Sequence, residues 1–308
     1  MIITAPALGS LFVGFKAAFN KGFEGAASTY TKVAMEVTSS TAQETYGWLG
    51  QFPDLREWIG PRVVHNLQAH GYIISNRKFE VTLSVPRESI EDDQYGVFTP
   101  MFENMGQVTR KHPDALVYEV LGSGFTGKCY DEKPFFAPDH TVTDKDGNVT
   151  ATHSNVQEGD GPAWFLLDTS RPFRPLVFQK RIDYAFTSLF NETDANVFYQ
   201  DEYVYGVRAR ANAGFGLWQL AFGSKAPLTH DNYEAARQAM MAVTGEHGRK
   251  LGVKPTVLVV PDALEIAAKR IVVNGQRLIT VGSGADERPM SVPNDWAGTA
   301  EMVVSSFL

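Results

Sequence analysis

The stretch that decides the fold is residues 48–93, WLGQFPDLREWIGPRVVHNLQAHGYIISNRKFEVTLSVPRESIEDD. Its second half alternates apolar and polar residues from 78 to 85, with the apolar positions Phe79, Val81, Leu83 and Val85. A period of two over eight residues predicts a strand with one buried face. Residues 62–67 alternate less clearly, and residues 70–71 and 75–77 suit turns. We predict a long hairpin of two extended arms, which contacts a neighbouring subunit instead of packing in the core.

The segment after the hairpin carries helix signals. Ser89 and the acidic residues 91–93 suit a helix start, because carboxylates and hydroxyls favour the N-terminal turn. Pro100 fits either the first position of a helix or a kink within a longer one. We predict that Pro113 ends this helix and that Asp114 caps a short second one, which stops at Gly122.

The segment before the hairpin begins with an amphipathic helix at residues 6–20. Its apolar stripe follows helical spacing and consists of Leu8, Leu11, Phe12, Phe15 and Phe19. Three interpretations stay open: packing on its own domain, docking on a neighbouring subunit, or lying on a membrane surface. The third lacks the basic face that such helices carry. Residues 28–46 are rich in Ser and Thr and indicate an extended connector.

The remainder of the chain mixes strands and helices. Residues 122–162 are polar and rich in Gly, and indicate a long loop without a strong core of its own. Residues 164–222 are rich in β signals, and 203–215 alternate. Thr229 is a predicted cap for a helix to 243, and the apolar run 256–260 predicts a strand buried on both faces. Asn274-Gly275 is a hairpin signal, so the C-terminal third is a compact α/β unit.

Composition and charge restrict the function. The chain has 308 residues, 44% of them hydrophobic and 20% charged, which is typical of a globular protein. Its net charge of −7 argues against a protein that binds nucleic acid through its phosphates, because such a protein needs a surplus of Lys and Arg on one face. Cys129 is the only cysteine, so no internal disulfide can form. The sequence has no apolar run of about 18 residues that would predict a membrane span.

Residues 122–128, GSGFTGK, match part of a phosphate-binding loop. Such a loop needs a Ser or Thr after its lysine for magnesium, and it must open a helix. Here Cys129 follows Lys128, and Pro134 interrupts the next segment. We therefore predict a glycine turn after a helix and no nucleotide site.

A second chemical hypothesis is a metal-dependent hydrolase in the loop 131–153. Asp131, Asp139, His140 and His153 are residue types that bind zinc or iron. Their spacing lacks the fixed geometry of two histidines on one helix, so surface residues in a loop are the alternative. No nucleophile elbow of the form G-x-S-x-G occurs.

Residues 44–93 resemble the major head subunit of Mu-like tailed phages, through ETYGWLGQFP, LREWIG, HGYIISNRKFEVTLSVPR and IEDDQYG. The resemblance continues in the same order through YDEKPFFAPDH, WFLLDTSRPFRPLVFQKR, YGVRARANAGFGLWQLAFGSK, LVVPDALEIAAKRI and NDWAGTAEMVV, and so covers nearly the whole chain. It implies an α+β fold of the Hong Kong 97 capsid type. The implied divisions are an N-terminal arm (1–46), an extended loop (47–86), a mainly peripheral domain with a spine helix and a β-sheet (87–225, including the loop 122–162) and a mainly axial domain (226–308).

The resemblance implies a wall protein that forms hexamers and pentamers of an icosahedral shell around phage double-stranded DNA. We therefore expect no catalytic residues, no cofactor, no metal and no membrane partner. Expected partners are other copies of the chain, a scaffold or protease, a portal and decoration proteins, with assembly in the bacterial host cytoplasm and a place in the virion. Besides the hydrolase, a nanocompartment shell of the encapsulin kind stays open as an alternative. Candidate inter-subunit contacts are Phe12, Phe15, Arg56, Glu57, Trp58, Arg62, Arg77 and Lys78.

Overall fold

The computed structural model describes residues 4–47, 49, 71–92, 94–143, 148–245, 248–282 and 287–308. Its helices are α1 Ala5–Gly25, α2 Tyr30–Val33, α3 Arg87–Glu91, α4 Thr99–Gly122, α5 Ala195–Gln200, α6 His230–Met241 and α7 Glu265–Ala268. Its strands are β1 Ala34–Thr38, β2 Gln43–Tyr46, β3 Tyr72–Ser75, β4 Arg77–Pro86, β5 His140–Thr143, β6 Val149–His153, β7 Val156–Gln157, β8 Trp164–Leu167, β9 Leu176–Leu189, β10 Glu202–Phe215, β11 Ala221–Ser224, β12 Val257–Val260, β13 Gln276–Val281, β14 Arg288–Pro293 and β15 Glu301–Val304.

A long four-stranded sheet, in the order β1-β9-β10-β4, forms one layer of the fold. The alternation predicted for residues 78–85 is confirmed, because β4 turns its apolar residues to the buried side of this sheet. The expectation of a free arm is wrong for this segment, since β4 pairs with β10 along its whole length, from Arg77–Ala211 to Pro86–Glu202. Pairing satisfies the backbone groups that an isolated arm would leave to a neighbour. The first predicted arm, 62–67, lies outside the described residues.

Helix α4 packs on the buried face of this sheet as one continuous element of 24 residues. Pro113 lies inside it, so the predictions that Pro113 ends the helix and that Asp114 caps a second one are wrong. A proline within a helix removes one backbone hydrogen bond and bends the axis. Here the residues on both sides of Pro113 are held by burial, and tertiary packing outweighs the local rule.

Helix α1 crosses α4 and completes a second hydrophobic cluster. The predicted helix at 6–20 is confirmed and extends to Gly25, with Thr4 as its N-cap. The predicted connector 28–46 instead contains α2, β1 and β2, and β1 joins the edge of the long sheet beside β9.

A five-stranded sheet, in the order β15-β12-β8-β11-β7, forms the other main layer. The predicted strand at 256–260 is confirmed as β12, fully buried between β15 and β8. Its strands come from both sides of residue 226, so the C-terminal third does not build this unit alone. The loop 122–162 also contributes, because Phe135 and Phe136 are buried in the main core. The expectation of a loop without a strong core is therefore wrong, because the loop supplies side chains to the main core. Asn274-Gly275 precedes β13 and is not the turn between β13 and β14.

None of the helices in the described ranges is both long enough and apolar enough to cross a membrane.

Candidate inter-subunit surface

The aromatic face of α1 is packed inside its own chain. Phe15 is 2% exposed, and its ring centroid lies 4.3 Å from that of Phe102. Phe12 is partly buried and lies 5.8 Å from Phe186 and 5.7 Å from Phe190. This geometry corresponds to the first of the three interpretations, packing on the chain's own domain. Contact of Phe12 or Phe15 with a neighbouring subunit stays a prediction, and Phe15 could make one only if α1 left this site.

Arg77 and Lys78 begin β4 and are both exposed. The Arg77 guanidinium lies 5.2 Å from the centre of the Phe79 ring, so its charge stands over an aromatic face. Lys78 points to the opposite side of the sheet and is the cross-strand partner of Arg210. The other four candidates, Arg56, Glu57, Trp58 and Arg62, lie outside the described residues.

The connection between β9 and β10 forms a distal tip, defined here as residues 190–202 together with α3 and Asp92. Its short helix α5 carries two adjacent aromatic residues, Phe198 and Tyr199, which are 76% and 80% exposed. Val197 is the residue that α5 buries, because a helix of six residues has room for little more. Sequence reasoning missed this aromatic pair. The signal was two neighbouring aromatic residues in a short segment bounded by Asp194 and Asp201.

The polar groups at the tip are organised around Arg87. Its guanidinium lies 3.2 Å from Glu91, 3.5 Å from Glu192 and 3.9 Å from Asp201. These groups are partly or largely exposed, so each ion pair contributes little to stability on its own. The arrangement links α3 to the β9–β10 connection and leaves the tip with an excess of carboxylates.

The loop 131–153 contains a buried polar network around His140. Its Nδ1 lies 2.6 Å from an oxygen of Asp131, its Nε2 lies 3.2 Å from the Phe135 carbonyl oxygen, and its ring stacks on Trp218. Burial alone would raise the pKa of Asp131, but hydrogen bonds from His140 and Cys129 outweigh it and lower that pKa. Both ring nitrogens of His140 therefore face oxygen atoms of the same chain.

The same network includes Cys129, whose thiol donates to Asp131 at 3.0 Å. Burial, followed by the adjacent Asp131 charge, raises the pKa of Cys129 well above its usual value, so the thiol is a poor nucleophile. Cys129, Asp131 and His140 are residue types that bind metals, and their ligand atoms lie within 4.8 Å of one another. Ligands of one tetrahedral zinc lie about 3.4 Å apart, given bonds of about 2.1 Å. The hydrogen bonds of Asp131 to His140 and to Cys129, at 2.6 and 3.0 Å, are shorter than this separation. The three side chains are therefore bonded to one another instead of being spaced around a metal ion.

The four residues of the hydrolase hypothesis do not form one site. His153 is the cross-strand neighbour of His140 in the β5–β6 pair, but its Nε2 lies 2.9 Å from the Thr244 hydroxyl, and Asp139 pairs with Lys133 at 2.7 Å. Of the four side chains, Asp131 and His140 bond to each other, at 2.6 Å. The geometry therefore does not support a metal site made of these four residues.

The phosphate-loop candidate at 122–128 is a turn, as predicted. Thr126 N and Gly127 N both donate to the Ser123 carbonyl oxygen, and Gly127 O accepts from Phe135 N. These backbone groups satisfy one another instead of pointing at a ligand. The residues after Lys128 form no helix whose N-terminus could face a phosphate.

Comparison with known proteins identifies the family. The family model described as the Mu-like prophage major head subunit gpT matches residues 8–308. The major capsid protein of Escherichia phage Mu is 39% identical over 313 aligned positions, covering 100% of both chains. Among solved structures, a chain of the bacteriophage JBD30 procapsid has a TM-score of 0.84 and 41% identity, covering 99% of this chain and 100% of that one. A chain of the JBD30 capsid decorated with minor capsid protein trimers has a TM-score of 0.72 and 30% identity, covering 92% and 91%.

These similarities extend from the N-terminal helix through both sheets. The predicted α+β fold of the Hong Kong 97 capsid type is confirmed, because the similar structures are phage capsid chains aligned over nearly their whole length. Neither the nanocompartment shell nor the hydrolase gains support. The chain belongs to the family of Mu-like prophage major head subunits.

Proposed function

We propose that this head subunit assembles into hexamers and pentamers that close an icosahedral shell around phage double-stranded DNA. The observation that carries the proposal is the similarity to a procapsid chain over 99% of this chain at a TM-score of 0.84. A similarity over this much of the chain supports the same kind of assembly. The net charge of −7 suits a wall that encloses DNA without binding it tightly.

We infer a role for each part of the chain. Residues 1–46 are the N-terminal arm, and residues 47–86 are the extended loop, whose last ten residues form β4. Residues 87–225 are mainly the peripheral domain, with α4 as the spine helix, and residues 226–308 are mainly the axial domain. We propose that the extended loop lies over an adjacent subunit through its residues 56–70, which are outside the described ranges, because residues 72–75 form β3 and pair with β2 of the same chain.

The chain acts as a wall component and not as an enzyme. Of the groups most suited to catalysis, His140 and Cys129 are buried and Asp131 is partly buried, and all three are hydrogen-bonded to one another or to the backbone. A catalytic group must reach its substrate, and these groups face the core. We propose that their role is to hold the loop 131–153 against the five-stranded sheet.

Other partners follow from the same family. The JBD30 capsid chain comes from a shell decorated with minor capsid protein trimers, and we propose that this chain also takes decoration proteins. The similarity to a procapsid chain supports a precursor shell that forms with a scaffold or protease and a portal before it expands. Assembly takes place in the bacterial host cytoplasm, and the product is part of the virion.

The first test is the size of the purified protein, measured by sedimentation and negative-stain microscopy with and without co-expressed scaffold. Shells, or rings of five or six subunits, are expected. A monomer or dimer that persists under both conditions would overturn the proposal. The second test replaces residues 56–70 with a short Gly-Ser linker, which leaves β4 and its pairing with β10 in place. The folded subunit should survive with assembly lost, and normal assembly would contradict the role of the extended loop.

A further inference from the structure

Three cations share the solvent-exposed side of the long sheet: Lys78, Arg208 and Arg210. Lys78 and Arg210 are direct cross-strand partners, and Arg208 lies two residues along β10 on the same side. We call these three residues the basic face. Like charges directly opposite each other in a sheet are unfavourable. The pairing of Lys78 with Arg210 therefore leaves a repulsion that a negatively charged partner would relieve.

The surroundings within the described residues neutralise this surface only in part. Lys78, Arg208 and Arg210 form no ion pair within 4.0 Å among those residues. Glu80, the cross-strand partner of Arg208, offsets one of the three charges, and its carboxylate accepts a hydrogen bond from the Thr82 hydroxyl at 2.6 Å, so the surface keeps a net positive charge. The Arg210 Nε is shielded from solvent and has no hydrogen-bond partner in the described part of the chain. A buried donor without a partner is unfavourable unless an acceptor arrives from elsewhere.

The opposite charge lies at the distal tip of the same sheet. The tip carries Glu88, Glu91, Asp92, Glu192, Asp194, Asp201 and Glu202, and Arg87 is the one basic residue in its segments 86–92 and 190–202. Arg87 already contacts Glu91, Glu192 and Asp201. Glu88 and Asp92 are exposed and form no ion pair among the described residues.

The two surfaces cannot meet within one chain. Strand β10 runs from Glu202 at the tip to Arg208 on the basic face, six residues further along. At about 3.3 Å per residue they are about 20 Å apart on a strand paired on both sides. The distal tip of the same chain is therefore too far away to supply the acceptor for the basic face.

We propose that the basic face receives the acidic distal tip of a second copy of this chain, an inference that rests on the proposed self-assembly. Charge complementarity between two remote patches of one surface gives a head-to-tail contact, the kind that builds rings and closed shells. The exposed Phe198 and Tyr199 on the same tip supply apolar contact area beside the charges. The contact is electrostatic at its centre and weakens as salt screens it.

A charge-reversal exchange tests this contact. One variant carries Lys78→Glu, Arg208→Glu and Arg210→Glu, and the other carries Glu88→Lys and Asp92→Lys. A control reverses three exposed cations elsewhere, Lys16→Glu, Lys111→Glu and Lys250→Glu. We expect each of the first two variants to assemble about tenfold less than the control at low salt. Their equimolar mixture should recover rings of six, in which the two variants can alternate. Thermal unfolding of the unassembled subunits confirms that all variants fold.

Each outcome either supports or overturns the contact between the basic face and the distal tip. Recovery in the mixture supports the contact, because only complementary reversed surfaces can restore it. Normal assembly of the basic-face variant overturns it, and so does loss of assembly that the tip variant cannot rescue. Shells that form normally from the basic-face variant but retain less double-stranded DNA would assign the surface to nucleic acid instead. If the unmodified chain itself forms no rings or shells, the proposed function fails, and that result is distinct from failure of this contact.

Discussion

Gly106 on α4 lies directly against the backbone of Phe19 on α1, where a β-carbon at Gly106 would come within 2.1 Å of the Phe19 carbonyl oxygen. Gly22 on α1 makes the reciprocal approach, because a β-carbon there would come within 1.8 Å of the Glu103 carbonyl oxygen. The two glycines let the helix backbones touch. The close crossing brings Phe15 and Phe19 into the cluster that α4 shares with the long sheet.

Gly106→Ala should therefore destabilise the subunit, although alanine favours a helix more than glycine does. The added methyl group forces α1 away from α4, and overpacking of this kind costs about 1–3 kcal/mol of unfolding free energy. Gly14→Ala on α1 is the matched control, because nothing lies within 4 Å of a β-carbon there. It should stabilise the subunit by up to about 1 kcal/mol. Urea denaturation of both variants checks the pair, and equal effects would contradict the tight crossing.

Asp114→Ala should loosen the segment that follows α1. The Asp114 carboxylate accepts from Thr29 N at 2.8 Å and from Tyr30 N at 2.6 Å, so it caps α2 from another helix. Loss of these bonds leaves two backbone donors without partners and costs about 2–3 kcal/mol. Thr229→Ala, which removes an ordinary cap within one helix, should cost about 1 kcal/mol in the same denaturation experiment. A smaller loss for Asp114→Ala than for Thr229→Ala would show that the cap contributes little.

His140→Gln should be among the most damaging substitutions in the loop 131–153. It leaves the mostly buried Asp131 carboxylate without its closest hydrogen-bond partner, and loss of a hydrogen bond to a buried charged group costs about 3 kcal/mol. Adding Asp131→Asn to His140→Gln should restore part of that loss, because the two residues are coupled. Thermal unfolding of the two single variants and the double variant measures the coupling. Additive losses would show that the two side chains act independently.

Stability should rise with pH as pH approaches 6.5 from below. Burial, aided by the nearby Arg77, lowers the pKa of His112 below its usual 6.5, and burial also lowers that of His153. The unfolded chain therefore binds more protons than the folded chain between the lowered pKa values and 6.5. The stabilisation is complete above pH 6.5 and is lost as pH falls through that window.

Denaturation between pH 5 and pH 7.5 measures this dependence. The variant His112→Gln combined with His153→Gln should show a flatter profile over the same range. The unsubstituted protein, measured in the same buffers, is the control. An unchanged slope in the double variant would show that other groups control the pH response.

Local patterns in the sequence predicted the elements whose periodicity is set by one buried face. The alternation around Phe79 and the stripe around Phe15 each specify a single buried side, so β4 and α1 were predictable. The elements that β4 and α1 pack against were not predictable from these patterns. The alternation of 78–85 does not state that β10 is its neighbour, because any strand of matching polarity could pair with it. Because the pattern does not identify β10 as the neighbour, residues 78–85 were interpreted as part of an arm that contacts another subunit.

The errors arose where distant residues override a local preference. Pro113 breaks helices in isolation, but burial against α1 and the sheet keeps α4 continuous. Asp114 has the form of a cap for its own helix, yet its partners are Thr29 and Tyr30, more than 80 residues earlier. The hydrogen-bond network around His140 also depends on the folded structure and not on a local sequence pattern. Cys129 and Asp131 reach that ring only because the turn after α4 folds back onto β5.

The burial of α1 changes what cleavage of the N-terminal segment would mean. Phe15 and Phe19 fill a cluster with Phe102 and Tyr205, and residues 26–29 are the short link that joins this helix to the rest of the chain. A protease that cut this link would leave the helix seated like a bound peptide, because its aromatic side chains would still be buried. The fragment would separate from the body on a denaturing gel and yet remain with the native particle.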